Sequence, residues 1–312
     1  MRAEDGDPLA SVERGSPVAF IGLGRMGMPM ARRLVKSGYA VTGYDVVPGA
    51  RQEFMRALPE ARVAETASDA CKGAAVAILM LPDSSAVDGV LQGKGLLDEL
   101  PAGFLVVDMG SSEPGETRSL AEQCARRSIR LVDAPVSGGV VGAEAGSLTI
   151  MAGGDKGDID AARPLLDVLG SRTLHVGPCG AGHAVKALNN LLSATHLLAT
   201  SEAMLVAREF GLDLRPVLDA INTSSGRSGS TEVKWPKFIL TEAYDSGFSL
   251  RLMVKDMRIA LGLAETTAIP TPLSISALHA WADASASLPS SADHTEIVRW
   301  LEQLTQGGSV AS

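Results

Sequence analysis

The chain lacks a basic surplus, an apolar run of membrane-spanning length and paired cysteines. Its 28 Lys and Arg against 36 Asp and Glu leave a net charge of -8, and no basic patch interrupts that balance, so nucleic acid and anionic lipid are repelled rather than bound. No uninterrupted apolar stretch reaches the roughly 18 residues of a bilayer crossing, and no transmembrane helix is expected. Cys71, Cys124 and Cys179 are odd in number, far apart and free of any CxxC pairing, so they read as small buried hydrophobes in a reducing compartment, the cytoplasm. Residues 1–16 carry Glu4, Asp5, Asp7 and Glu13 with Gly and Pro but no basic start or apolar segment, and read as a disordered leader; the small polar end, 307–312, reads as a frayed tail. His183, His196, His279 and His294 form no HxxxH pair or carboxylate cluster, which argues against a metal site, and no GxSxG elbow offers a serine nucleophile.

What is present is ordinary globular usage, 46% apolar and 21% charged, over 312 residues, a length that suits two domains. Across 17–179, short β-branched or apolar runs at Val18–Ile21, Val41–Tyr44, Val76–Leu81, Leu105–Asp108 and Arg130–Ala134 alternate with helix-like stretches. That alternation predicts an α/β domain, a parallel sheet wound with helices on both faces, finished by Leu148–Ala152 and Thr173–Val176. From His183 to Phe210 no Gly or Pro interrupts, and these 28 residues predict a single helix of roughly 42 Å. Further helices follow over Leu214–Asn222, Thr231–Leu240 with Pro236 inside, Leu250–Thr266, Thr271–Ser285 and His294–Gln306. The second domain, 180–306, is therefore expected to be all α and joined to the first by the long helix.

The first strand runs into Gly22-Leu23-Gly24-Arg25-Met26-Gly27, a GxGxxG fingerprint followed by a helix through Met30, Ala31 and Leu34. Gly22 permits the tight turn, Gly24 lets the backbone approach a pyrophosphate, and Gly27 allows close helix–strand packing, with the phosphates at the helix N-terminus. The first domain is thus of the Rossmann type. Asp45 ends the second strand 18 residues after Gly27, where an acid hydrogen-bonds the ribose hydroxyls and repels a 2′-phosphate; NAD is the expected cofactor. Arg51, six residues on, leaves NADP possible. Leu81, Pro82 and Ser111, at the ends of later strands, are expected to line the same crevice.

Four segments carry a resemblance over nearly the whole chain: Gly22 to Ala31, Asp133-Ala-Pro-Val-Ser-Gly-Gly139, Gly180-Ala-Gly-His-Ala-Val-Lys-Ala-Leu-Asn-Asn190, and Lys255-Asp256. Together they resemble the β-hydroxyacid dehydrogenase family, with its 3-hydroxyisobutyrate and tartronate semialdehyde enzymes. Ser137, Gly138 and Gly139 offer a hydroxyl and unobstructed backbone N–H groups, and the resemblance implies that they hold a substrate carboxylate. Lys186 and Asn190, four apart, share one helix face; the resemblance implies that Lys186 is the general acid–base, with Asn190 steadying the lysine or the substrate hydroxyl. It also implies that Lys255 approaches the cofactor. The expected substrate is a small anionic 3-hydroxy acid or the matching semialdehyde, and the expected assembly a homodimer or homotetramer.

Two other functions share parts of this pattern. An oxidative decarboxylase of the 6-phosphogluconate type shares the Ser-Gly-Gly and Lys motifs, but carries a Glu seven residues and a His three residues after the lysine, where this chain has Ser193 and Asn189. Neither is a proton donor of suitable pKa for the enol left by decarboxylation. A module that binds NAD without turnover shares the fold, and the intact Lys186 and Asn190 argue against it. Within the polar stretch 224–231, Arg227 is placed to clamp a second anionic group, cap a helix or pair across a subunit interface.

Overall fold

Strands that are apolar at every position must be covered on both faces, and the first part of the chain answers with a sheet layered between helices. The structure, a computed structural model, describes residues 11–93 and 95–306. The chain divides between Lys186 and Ala187 into two compact units. In the first, β1 (Pro17–Ile21), β2 (Ala40–Tyr44), β3 (Arg62–Val63), β4 (Val76–Leu79), β5 (Leu105–Asp108) and β6 (Arg130–Asp133) lie parallel in the order β3-β2-β1-β4-β5-β6. Successive residues point to opposite faces. Val18 and Phe20 join Ile78, Val107 and, from helix Gly27–Lys36, Met30 and Leu34 in one apolar layer. Ala19 and Ile21 join Leu79, Val106 and, from helices Ser84–Leu91 and Pro114–Arg126, Leu91 and Leu120 in the other. The strand order reverses between β1 and β4, which opens a crevice at their carboxyl ends.

The sheet ends differently from a continued parallel winding. β7 (Val136–Ser137) and β8 (Leu148–Gly153) pair antiparallel, β8 also runs antiparallel to β6, and β9 (Gly170–Gly177) lies parallel to β8. β7 continues the direction of β6 along β8, with Asp133 opposite Gly153 and Val136 opposite Ile150, and the chain turns back only after β7, through Gly138 and helix Gly139–Ala145; between β8 and β9, helix Lys156–Leu169 is long enough to cross over. Of the leader expected over 1–16, residues 1–10 lie outside the described residues. Residues 11–16 include buried Val12, whose N–H donates to the Ala161 carbonyl at 2.9 Å and whose carbonyl accepts from the Tyr39 hydroxyl at 3.2 Å. The tail expected over 307–312 also lies outside the described residues. Burial pushes the Cys71 thiol up to about 12 and that of Cys124 up to about 11, and burial and then the Asp133 carboxylate push up Cys179, so all three stay protonated near neutral pH. Among the described residues no helix is long and apolar enough to cross a membrane.

Helix Ala181–Glu209 begins in the first unit and ends in the second. The second unit is otherwise built from helices Leu214–Asn222, Leu250–Thr267, Pro272–Ser287 and Ile297–Gln306 around Met257, Trp281 and Ile297. Its remaining long element, expected as an α-helix over 231–240, is a π-helix over Ser230–Ile239. Pro236 accounts for part of this segment's bonding, because it has no N–H to give the carbonyl five residues back, that of Thr231. The side-chain amide of Asn222 donates to that carbonyl instead, at 3.2 Å.

Asp293 ties this unit together and gives it a pH dependence. Its buried carboxylate accepts from Ser246 Oγ at 2.7 Å, Gly247 N at 2.9 Å, Thr295 N at 3.0 Å and Thr295 Oγ1 at 2.7 Å. Burial alone would raise its pKa, but hydrogen bonds from His294, Thr295 and Ser246 outweigh it and hold the carboxyl well below the usual range. A group depressed in this way stabilises the fold above the unfolded pKa of about 4, and the contribution drains away as pH falls further. Asp293→Asn should therefore cost roughly 2 kcal/mol at pH 7, the scale of a hydrogen bond to a charged group, and progressively less below about pH 4. Urea unfolding of both proteins across pH 3–7 checks this, and a deficit that does not change with pH refutes it.

Candidate active site

In the first unit the fingerprint loop joins β1 to helix Gly27–Lys36 across the crevice, and two of its glycines are demanded by the fold itself. A Cβ on Gly22, whose φ is +99°, would lie 2.3 Å from the Met80 carbonyl oxygen, and one on Gly27 would lie 1.8 Å from the Gly22 carbonyl oxygen. Gly24 is exposed with nothing within 4 Å of a Cβ, so nothing in the protein alone requires it to be glycine. The first turn of the following helix carries no acidic side chain, which leaves its positive end to an anion. This cradle fits a dinucleotide pyrophosphate.

Asp45, just past β2, folds back on the loop. One carboxylate oxygen accepts from Leu23 N and the other from Val47 N, both at 2.8 Å. Arg51 donates to the Asp45 carbonyl at 2.7 Å, pairs with Glu65 at 3.1 Å and lies over the Tyr44 ring, while Val46 and Val47 beside Asp45 are exposed. Leu81 borders the same crevice: its Cδ2 lies 3.2 Å from the position of a Gly22 Cβ, and its carbonyl oxygen 2.5 Å from that of a Gly110 Cβ. Pro82 follows it, and Ser111 lies between Gly110 and Ser112, both of which donate to the Asp108 carboxylate at 2.9 Å. On the far part of the sheet, Ser137 ends β7, and Gly138 (φ +133°) and Gly139 (φ +63°) turn the chain in a way that favours glycine.

A buried polar knot lies at the root of the long helix. Asp133 accepts from Gly180 N at 2.7 Å and His183 N at 2.9 Å, anchoring the helix start. Thr117 Oγ1 lies 3.0 Å from the Glu113 carbonyl and is hydrogen-bonded with His183 Nδ1 at 2.8 Å, while His183 Nε2 stands 3.7 Å from Asp108 Oδ2. Asp108, Thr117, Asp133 and His183 are all buried. None of the four stood out as a site residue in the sequence, although Asp108 and Asp133 end parallel strands, where ligand-facing residues collect, and His183 precedes Lys186 by three. Asp108 and Thr117 also wall a cavity of about 350 Å³ with Ser84, Ser112 and Gln123, set apart from the glycine fingerprint. Among the described residues no group of three or more His, Cys, Asp or Glu is placed to hold a metal ion.

Lys186 is the last residue of the first unit, and Asn190 sits one turn further along the same helix. In the second unit Asn190 is buried and donates through Nδ2 to Asp256 Oδ2 at 2.5 Å; Asn189 Nδ2 donates to Asn190 Oδ1 at 3.2 Å. Lys255 Nζ lies 3.1 Å from Asp256 Oδ1. Asp256, which sequence reasoning quoted only as the neighbour of Lys255, is thus the buried carboxylate that orients Asn190. Arg227 is 64% exposed, with Glu232 at 3.7 Å. One turn beyond Asn190, Ser193 Oγ accepts from Lys234 Nζ of the π-helix at 2.7 Å.

Comparison with known proteins gives a concordant picture. Residues 17–177 match the family described as the NAD binding domain of 6-phosphogluconate dehydrogenase, and 180–301 match the family described as NAD-binding of NADP-dependent 3-hydroxyisobutyrate dehydrogenase. A Pseudomonas aeruginosa protein named NAD-dependent L-serine dehydrogenase is 39% identical over 84% of this chain and 89% of its own length. The 2-(hydroxymethyl)glutarate dehydrogenase of Eubacterium barkeri is 36% identical over 94% of this chain and 97% of its own. The solved Mycobacterium tuberculosis 3-hydroxyisobutyrate dehydrogenase with L-serine superposes with a TM-score of 0.85 at 30% identity, covering 92% of this chain and 99% of that one.

Proposed function

This chain belongs to the β-hydroxyacid dehydrogenase family, and from that premise we propose that Lys186 takes the hydroxyl proton of a small 3-hydroxy acid as it is oxidised to a semialdehyde, or returns it in the reduction. The protein is an NAD(P)-dependent 3-hydroxyacid dehydrogenase whose reaction retains every substrate carbon. A bound nicotinamide dinucleotide supplies the hydride chemistry that side chains lack. The protein supplies the rest. Asn190, its amide nitrogen engaged by Asp256, keeps its side chain in one orientation one turn from Lys186; this arrangement is the observation that carries the reading. Ser137 and the following glycines suit the substrate carboxylate, and Lys255 suits the cofactor side of the reaction. Turnover of 3-hydroxyisobutyrate, serine, glycerate, threonate and sulfonate analogues with each cofactor tests it, and no reduced cofactor with any of them refutes it.

NAD is the preferred cofactor in this reading. The Asp45 carboxylate, followed by two exposed valines and with Arg51 already paired to Glu65, suits ribose hydroxyls and repels a 2′-phosphate. Asp45→Ser should shift the ratio of kcat/KM for NAD over NADP by about 10-fold or more toward NADP, since tenfold is 1.4 kcal/mol and a charged hydrogen bond contributes at least that. A wild-type enzyme faster with NADP refutes the preference. The exposed Leu188, Leu192 and Val206 of the long helix and Phe210 just after it support self-association into a homodimer or homotetramer, and the cysteine usage supports a cytoplasmic setting.

A further inference from the structure

A half-buried lysine with no acid beside it stands out in the second unit. Several other partly buried cations are paired with carboxylates, Arg51 with Glu65, Arg130 with Asp158 and Lys255 with Asp256, and Arg33 and Arg163 donate to backbone carbonyls. Among the described residues Lys234 has no carboxylate within ion-pair distance; its ammonium meets only Ser193, the hydroxyl at 2.7 Å and the carbonyl at 3.4 Å. Burial pushes it down to about 8, opposed by the attraction of Asp293. An ammonium has three N–H groups, and the Ser193 oxygen, having accepted one of them, keeps its own proton to donate. Side by side, one ammonium N–H and one hydroxyl can bind both oxygens of a single carboxylate.

The position of the pair relates it to the reacting end of the substrate. Lys186, Asn190 and Ser193 fall at i, i+4 and i+7, one stripe of the helix, with Ser193 about 10 Å along the axis from Lys186. The π-helix puts Lys234 on that stripe, with Trp235 Nε1 donating to Ser201 one residue on, at 3.3 Å. The π-helix is rare, and its usual single-turn form is frequent at functional sites. Arg227, the other candidate for a second anion, is exposed and already faces Glu232.

We propose that Lys234 and Ser193 form a subsite for a second carboxylate, so that the substrates of this enzyme are 3-hydroxy acids with a carboxylate-bearing side arm. The proposal rests on the dehydrogenase reading above and refines its substrate class. A matched pair of compounds isolates it: 3-hydroxyisobutyrate and 2-(hydroxymethyl)glutarate share the hydroxymethyl and carboxylate head, and differ in a methyl group against a two-carbon arm ending in carboxylate. Wild-type enzyme should favour the dicarboxylate in kcat/KM by about 10-fold or more, and Lys234→Met should cut that ratio by about 30-fold. A wild-type preference for 3-hydroxyisobutyrate, or a ratio unmoved by the substitution, overturns the subsite. Failure of the dehydrogenase reading is separable, because 2-methylglutarate has no hydroxyl to oxidise yet retains both carboxylates. Calorimetric titration of the full chain with 2-methylglutarate in the presence of NAD should show binding that Lys234→Met and Ser193→Ala each weaken by about 10-fold. Absent binding by wild type, or equal binding by all three proteins, overturns the subsite whatever the turnover result.

Discussion

Lys186→Met should lower kcat by roughly 10²–10⁴ while the fold and the affinity for NAD are retained, because general acid–base catalysis contributes on that scale and the methionine keeps the apolar stem. The helix that carries Lys186 is held by groups on either side of it. Its start is fixed by Asp133 through Gly180 and His183, and the turn after Lys186 is fixed by Asn190 on Asp256. Loss of the amine should therefore appear in kcat more than in cofactor binding or melting temperature. Fluorescence titration with NADH and a thermal melt on the same preparation make the comparison fair. Turnover near that of wild type would remove Lys186 from the chemistry; a drop in NADH affinity equal to the drop in kcat would give it a structural role instead.

Much of the scaffold was legible because its signals are local. β1 and β4 are continuous apolar runs and β5 is one up to Asp108, the two-faced burial of a central parallel strand, and from His183 onward the long helix has neither Gly nor Pro to stop it. β3 and β7 were missed, since two residues have no period to detect. The reversal at β8 depends on which strand lies beside β6, a long-range pairing that leaves no mark in the segment itself. The π-helix was expected as an α-helix with a proline in it, because the rescue of the Thr231 carbonyl comes from Asn222, outside the segment.

The site divides along the same line. The glycine fingerprint, Asp45, Ser137 and the Lys186–Asn190 spacing are short-range patterns. Residues that act by meeting across the chain were hidden: Asp256 holds Asn190 across 66 positions, Asp133 caps a helix 47 and 50 positions on, and Lys234 reaches Ser193 across 41. Arg227 drew attention as a charge in a polar loop, whereas nothing local marks Lys234, which stands on a helix with Glu232, Trp235 and Lys237 nearby.

The fingerprint glycines give the sharpest separation of fold from cofactor binding. Gly24→Ala should leave stability unchanged or raise it by up to about 0.5–1 kcal/mol, since the position is open, not at positive φ, and alanine lowers the entropy of the unfolded chain. The same methyl group faces the close approach that a pyrophosphate makes to this loop, so the Kd for NAD should rise about 10-fold or more, which is 1.4 kcal/mol. Gly27→Ala should differ in kind. Its Cβ would lie 1.8 Å from the Gly22 carbonyl oxygen, with Phe20 Cε1 at 3.2 Å behind it, so helix Gly27–Lys36 must shift off β1 to make room. Overpacking costs roughly 1–3 kcal/mol, and the shift also carries the helix N-terminus away from the phosphates. Melting temperature and NAD affinity should both fall for Gly27→Ala, whereas affinity alone should fall for Gly24→Ala. Unchanged NAD affinity in Gly24→Ala would mean that the dinucleotide does not approach the backbone at this loop, and the cofactor site would have to be sought elsewhere along the carboxyl edge of the sheet.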